Sequence, residues 1–142
     1  MQPVYLEGED GSRQFMGWFD TARQIDCSFA VATDGAWRCM PAGADAGRFY
    51  ADAACTQRLA TVPKGCSGPA YATVREVPAC VWQSSRQVFA VGERYAGPLA
   101  YWTDGGACAA VTSADLVGYD LYRLTDEMAP SSFVAASRQV EP

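Results

Sequence analysis

The sequence predicts an all-β fold of antiparallel hairpins, on three observations. Turn-forming residues recur at short intervals, the segments between them are rich in Val, Phe, Tyr, Trp and Thr, and six cysteines stand in a chain without histidine. Close turn signals leave few gaps long enough for a helix, and the intervening residue types suit a pleated, half-buried surface. The cysteines argue for covalent bracing, while the missing imidazole removes the commonest catalytic base and metal ligand. A small barrel, a sandwich and a propeller-like ring of hairpins all fit this pattern. With 142 residues, 49% hydrophobic and 12% aromatic, the chain has the material for one domain over 1–142 with its own core.

The expected strands follow the punctuation. Residues 4–7 run up to Gly8, and Asp10-Gly11 turns the chain into 13–19, where Phe15, Trp18 and Phe19 favour a sheet. Residues 25–32 and 36–40 flank Asp34-Gly35, a hairpin signal. After the turn formers of 41–47 come 48–51 and 59–62, then 70–77 beyond Pro63, Gly65, Gly68 and Pro69. Pro78 precedes 81–83 and 87–92; Gly97-Pro98 precedes 99–103; and the turn at Asp104 to Gly106 leads into 107–112, with 118–124 last. Together these read as hairpins in a β-meander. The tail, 130–139, either starts a short helix capped by Ser131 or Ser132 or continues as an extended edge.

An even cysteine count in a short chain suggests a disulfide framework, although six allow fifteen pairings. Pairing within neighbouring hairpins is simplest: Cys27 with Cys39, Cys55 with Cys66 and Cys80 with Cys108. Each bridge is worth roughly 3 kcal/mol, chiefly through the unfolded chain. Reduced structural thiols and zinc are the rival readings, and no two cysteines are closer than eleven positions, unlike the close pairs of zinc sites. A weak internal echo also runs through the chain. Phe49-Tyr50-Ala51-Asp52 leads into Cys55 as Tyr101-Trp102-Thr103-Asp104 leads into Cys108, and Ser-Arg-Gln recurs at Ser12, Ser85 and Ser137. Cys27 to Cys80 and Cys55 to Cys108 share a separation of 53 residues, which hints at duplicated halves.

A net charge of -5 with scattered basic residues disfavours nucleic acid, whose phosphates need clustered Lys and Arg. Ten of the eleven basic residues are Arg, and the chain has no Asn and one Ile, a bias expected of a GC-rich genome; without Asn there is no N-glycosylation site. No run approaches the eighteen or so apolar residues of a membrane helix. The start, MQPVYLEGED, lacks the basic and apolar stretches of a leader. The cysteines make a mature exported domain whose leader has been removed the preferred account, with a reduced cytosolic protein as the alternative. The segments GEDGSRQFMGWFD, DCSFAVATDGAWRCMP, FYADAACTQRLA and SSFVAASRQV resemble a group of uncharacterised exported proteins, often lipoproteins, seen in myxobacteria. That resemblance spans most of the chain. It implies an extracellular, cell-surface or periplasmic protein with bridged hairpins and brings no activity with it; the leader and lipid-attachment cysteine of those precursors are missing here.

Without histidine, Ser-His-Asp and Cys-His nucleophile systems are excluded. Lys64, three residues before Ser67, reverses the S-x-x-K order. Paired carboxylates drawn from Asp20, Asp26, Asp34, Asp52, Asp104, Asp115 and Asp120 would suit a glycan hydrolase, but most lie beside turns, where Asp bonds its own backbone. Glu7, Glu9 and Asp10 beside Gly11 and Ser12 read as a solvated hairpin tip or a calcium loop. Val62-Pro63-Lys64-Gly65-Cys66 offers a protease-inhibitor bait if a bridge constrains it. The rings are the best functional hint. Adjacent pairs such as Phe49-Tyr50 and Tyr101-Trp102 cannot both point to one face of a strand, so one of each must be covered by another layer or left as a platform. The expected function is therefore non-catalytic binding of a glycan or protein surface through Trp37, Trp82, Tyr101 and Trp102, with no cofactor and no metal. The hydrolase and the inhibitor are the alternatives, and oligomeric state stays open.

Overall fold

A computed structural model describes residues 1–77, 84–98, 100–104, 106–112 and 116–140. The fold is all-β: twelve strands and one short 3-10 turn, with no α-helix among the described residues. The strands are β1 (Gln2–Glu7), β2 (Arg13–Asp20), β3 (Ile25–Ala32), β4 (Trp37–Pro41), β5 (Ala44–Tyr50), β6 (Arg58–Pro63), β7 (Tyr71–Glu76), β8 (Ser85–Arg94), β9 (Ala100–Asp104), β10 (Ala107–Val111), β11 (Tyr119–Glu127) and β12 (Ala135–Ala136). The expected strand 81–83 and Cys80 lie outside the described residues. Pro130–Ser132 forms the 3-10 turn with Ala129 before it and no side-chain cap. Ser131 and Ser132 are thus inside the turn rather than capping a helix, and the tail continues as the edge strand β12.

The chain sorts into two compact units that are interleaved in sequence, 1–42 with 76–86 and 129–142, and 43–75 with 87–128. In the first, β1, β2, β3 and β4 pair antiparallel in chain order, β12 adds to β4, and Val31 and Ala32 of β3 pair in parallel with Ser85 and Arg86. In the second, β5, β6, β11, β8 and β7 close on one another as a five-stranded barrel, with β9 added to β5 and β10 to β9. Beside the antiparallel hairpins, β5 and β7 run parallel, Ala44 beside Ala72, so the barrel closes through a non-local pair. The approach is close enough that a Cβ on Gly43 would stand 2.6 Å from the Tyr71 carbonyl oxygen. Only glycine fits where two backbones come that near.

Alternation explains how this unit buries two layers. Leu59 faces Phe49 and Arg123 across the ladder, and Ala60 faces Tyr122. Leu59, Phe49 and Leu121 pack with Ala100 and Val111 of the β9–β10 hairpin. On the other side Ala46, Ala60, Ala72 and Val74 pack with Phe89, Val91, Tyr122 and Leu124, side chains from all five barrel strands. A five-stranded barrel is narrow, and alanines at its tightest points are what its bore admits. Phe49 and Tyr50 are both buried for this reason, one under the hairpin and the other with Arg58, whose Nη1 donates to the Tyr50 hydroxyl at 3.0 Å.

Cys27 bridges Cys39 across the Asp34-Gly35 hairpin, as the spacing predicts. The remaining pairing differs. Cys55 bridges Cys108, so the expected Cys55–Cys66 and Cys80–Cys108 bridges are not formed, and Cys66 carries a free, exposed thiol. The reason is the barrel's outer edge: Phe49 pairs with Trp102 and Tyr50 with Tyr101, so the two echoing phrases run side by side and bring their cysteines together. Cys55 itself is held at φ 54°, in a loop that the Asp52 carboxylate ties through the Thr56 and Gln57 amides at 2.9 and 2.7 Å. Two disulfides fit a non-reducing environment, and no helix of the described residues is long and apolar enough to cross a membrane.

Ala60→Leu overfills the bore and lowers stability by about 1–3 kcal/mol, read by urea denaturation, whereas an unchanged midpoint would show that the bore has room. Non-reducing peptide mapping recovers 27 linked to 39 and 55 linked to 108 while iodoacetamide labels Cys66 in the folded protein. Replacing Cys108 by Ser then costs about 4 kcal/mol, against about 3 for Cys39, because the 53-residue separation exceeds the 12-residue one.

Candidate functional site

The first unit carries an aromatic face. Trp18 lies opposite Cys27, Phe29 opposite Cys39 and Trp37 opposite Val31, and opposed residues project to the same side of a sheet. Phe15, three residues before Trp18, would ordinarily point the other way. A bulge corrects the parity: Val4 pairs with Gly17 but Tyr5 with Phe15, so Met16 is an extra residue. Gly17 sits at φ 155°, a conformation that side-chain-bearing residues rarely adopt. The rings then meet edge to face in a continuous row, Tyr5 to Phe15 at 5.8 Å, Phe15 to Trp18 at 5.5 Å and Trp18 to Phe29 at 6.1 Å. Each such contact is worth about 0.5–1.5 kcal/mol beyond the area it buries. Arg13 stacks over Tyr5 at the outer end, 4.5 Å from the ring centre.

The inner end of the row opens into a cavity of about 620 Å³ lined by Trp18, Phe29, Trp37, Ala136, Ser137 and Arg138. Its far wall is the C-terminal tail, and two arginines fix that wall. Arg23 donates to the Ser132 carbonyl and stacks over the buried Phe133, and Arg38 donates to the Phe133 carbonyl at 2.9 Å. The Cys39 amide adds a bond to the Val134 carbonyl at 2.9 Å, which delivers Ala135 and Ala136 opposite Arg38 and Trp37. Each arginine is oriented by an aspartate. Asp20, 3% exposed, accepts from the Ala22 and Arg23 amides and from the Arg23 guanidinium; Asp34 accepts from the Ala36 amide and from Arg38 at 2.7 Å.

These contacts settle the acids. Burial works to raise the Asp20 carboxyl, but the Arg23 and Ala22 hydrogen bonds and the Arg23 charge outweigh it and hold the group below the ordinary 3.8. The Arg38 side chain holds Asp34 low, the Gln57 amide and Thr56 hold Asp52 low, and Ser12 holds Asp10 low. All four are structural carboxylates, ionised at neutral pH. Asp120 is paired with Arg94. Asp26 and Ser28 line a second cavity of about 440 Å³ beside Leu6 and Met16, where Asp26 is the one carboxylate. The side chain of Asp104, and all of Asp115, lie outside the described residues. The Lys64 turn is closed by the Cys66 amide bonding the Pro63 carbonyl at 3.1 Å, without the bridge that the bait reading needs. At the β1–β2 tip, Asp10 accepts from Ser12 and Glu7 lies 3.9 Å from Arg13.

The residues expected to form the contact surface are divided between the two units. Trp37, 37% exposed, stands at the cavity of the first unit, whereas Tyr101 and Trp102 belong to β9 of the second. As neighbours on a strand they project to opposite faces, Trp102 being 36% exposed. Trp82 lies outside the described residues. Tyr5, Phe15, Trp18 and Phe29 stand outside the expected contact surface, because adjacency along the chain does not reveal a row built from rings on three strands. A usable signal was present: a glycine between bulky residues inside a strand, at Met16-Gly17-Trp18, marks a bulge.

A family described as "Family of unknown function (DUF7481)" matches residues 2–135. No curated protein and no solved structure matches the chain.

Asp20 and Asp34 give the tail a pH dependence. A carboxyl held low in the fold stabilises it above the unfolded value near 3.8, and that contribution is lost as pH falls through the lower folded value. The melting temperature is therefore flat from about pH 7 to 5 and falls below about pH 4. In Asp20→Asn the acid loss is shallower and proteolysis of 130–138 at pH 7 is faster. A tail equally protected in that variant would contradict the anchoring.

Proposed function

We propose that this chain, which belongs to the DUF7481 family of unknown function, is a non-catalytic binding module that recognises a glycan at the Trp37 cavity. The observation carrying this reading is the row of rings on one sheet face that ends in an apolar cavity of about 620 Å³. That volume is of the size that receives a small ligand, lined mainly by rings with a few placed polar groups. A sugar ring suits such a lining. Its C–H face is weakly positive and meets the negative face of an aromatic ring, while its hydroxyls reach Ser137 and the solvent rim. Two disulfides support an exported protein working at the cell surface or outside the cell.

The hydrolase reading has less support. Among the described residues, the cavities at Trp18 and Trp37, and one in the second unit lined by Tyr95, Tyr119 and Asp120, each hold at most one carboxylate, and Asp20, Asp34 and Asp52 are spent on the backbone, on Thr56 and on arginines.

A glycan array tests the proposal with purified protein. Trp37→Ala and Trp18→Ala abolish binding, at least tenfold, in variants whose far-UV dichroism and melting match the parent, and Trp102→Ala retains it. Binding that survives Trp37→Ala and disappears in Trp102→Ala would move the site to β9 and overturn the assignment.

A further inference from the structure

We propose that the ligand of the Trp37 cavity is an acidic saccharide whose carboxylate is held by Arg138; this deepens the reading above and rests on it. Most arginines of the chain are already engaged. Arg13, Arg23, Arg38, Arg94 and Arg123 are in ion pairs with Glu7, Asp20, Asp34, Asp120 and Glu93. Arg48 and Arg58 stack on Phe49 and Tyr50. Arg138 has no such partner among the described residues, and it stands at a cavity lined by rings, an alanine and a serine, with no carboxylate.

In a chain of net charge -5, a cavity whose described lining holds one uncommitted cation and no acid is a local inversion of the overall sign. A guanidinium presents a planar fork that matches a carboxylate in two parallel hydrogen bonds. Trp37 beside it supplies the ring face for the sugar that bears that carboxylate. Ser137 adds a hydroxyl whose oxygen already accepts from Gln139 Nε2 at 3.1 Å, leaving its proton for the ligand. A saccharide of a few rings fills about 620 Å³; an acidic peptide would answer the charge but not the row of rings.

Titration calorimetry in low salt, where surface charge is least screened, compares three probes: trigalacturonate, its methyl ester and a triglutamate peptide. Wild type binds trigalacturonate about tenfold or more tightly than the ester, since a charge-assisted bidentate pair is stronger than hydrogen bonds to a neutral ester. Arg138→Gln brings the acid to within twofold of the ester, and Trp37→Ala loses both. Equal affinity for acid and ester overturns the role of Arg138 and leaves the glycan reading standing. Binding of neither saccharide, with Trp37-dependent hits on the array, overturns the acidic ligand alone. Triglutamate binding more tightly than trigalacturonate overturns it in favour of an acidic peptide.

Discussion

A strand offers one layer only every second side chain, and the two units of this chain meet that constraint in opposite ways. Around the barrel, β5, β6 and β11 carry apolar residues on both sides, and both sides are covered, by the bore within and by the β9–β10 hairpin without. In β1 and β2 the same density of apolar residues is left largely open. Tyr5 and Phe15 are exposed on one face and Leu6 and Met16, each 60% exposed, on the other. An exposed apolar surface of this kind in a folded domain is what supports the binding reading proposed above. Rings organised into a row by a bulge, with a cavity at the end, are more specific than scattered exposure.

Local rules made the strands readable. Dipeptides such as Asp34-Gly35 and Asp10-Gly11 define hairpins by their own backbone chemistry, and the strands beside them stand where the composition places them. The Cys27–Cys39 bridge belongs to the same local class. What escaped the sequence is non-local. Nothing near Cys55 announces that its partner is 53 residues away, because that pairing is produced by β5 meeting β9. The parallel contacts of β5 with β7 and β3 with β8 likewise join segments distant in sequence, which no segment's own pattern announces.

The site was half legible for a related reason. Trp37 is identifiable as a ring at a hairpin, but its company is assembled from β2, β3 and the tail. Phe15 and Trp18 share a face only because Met16 is inserted, and counting by twos along the sequence separates them. The tail's part depends on Arg23 and Arg38, whose targets are carbonyls at Ser132 and Phe133. Backbone acceptors leave no trace in residue identity. Their aspartate partners looked like ordinary turn residues, and they are that, with the added work of aiming a guanidinium at a distant segment.

The alanine-lined bore has a consequence for kinetics. Ala46, Ala60 and Ala72 are fully buried and pack with Phe89, Val91, Tyr122 and Leu124, so the bore is filled by side chains as in other small barrels. On the reading proposed above, a ligand would meet the open cavity at Trp37, where encounter is limited by diffusion and orientation rather than by breathing of the fold. On that reading, residence time depends on how firmly the rings and Arg138 hold the ligand.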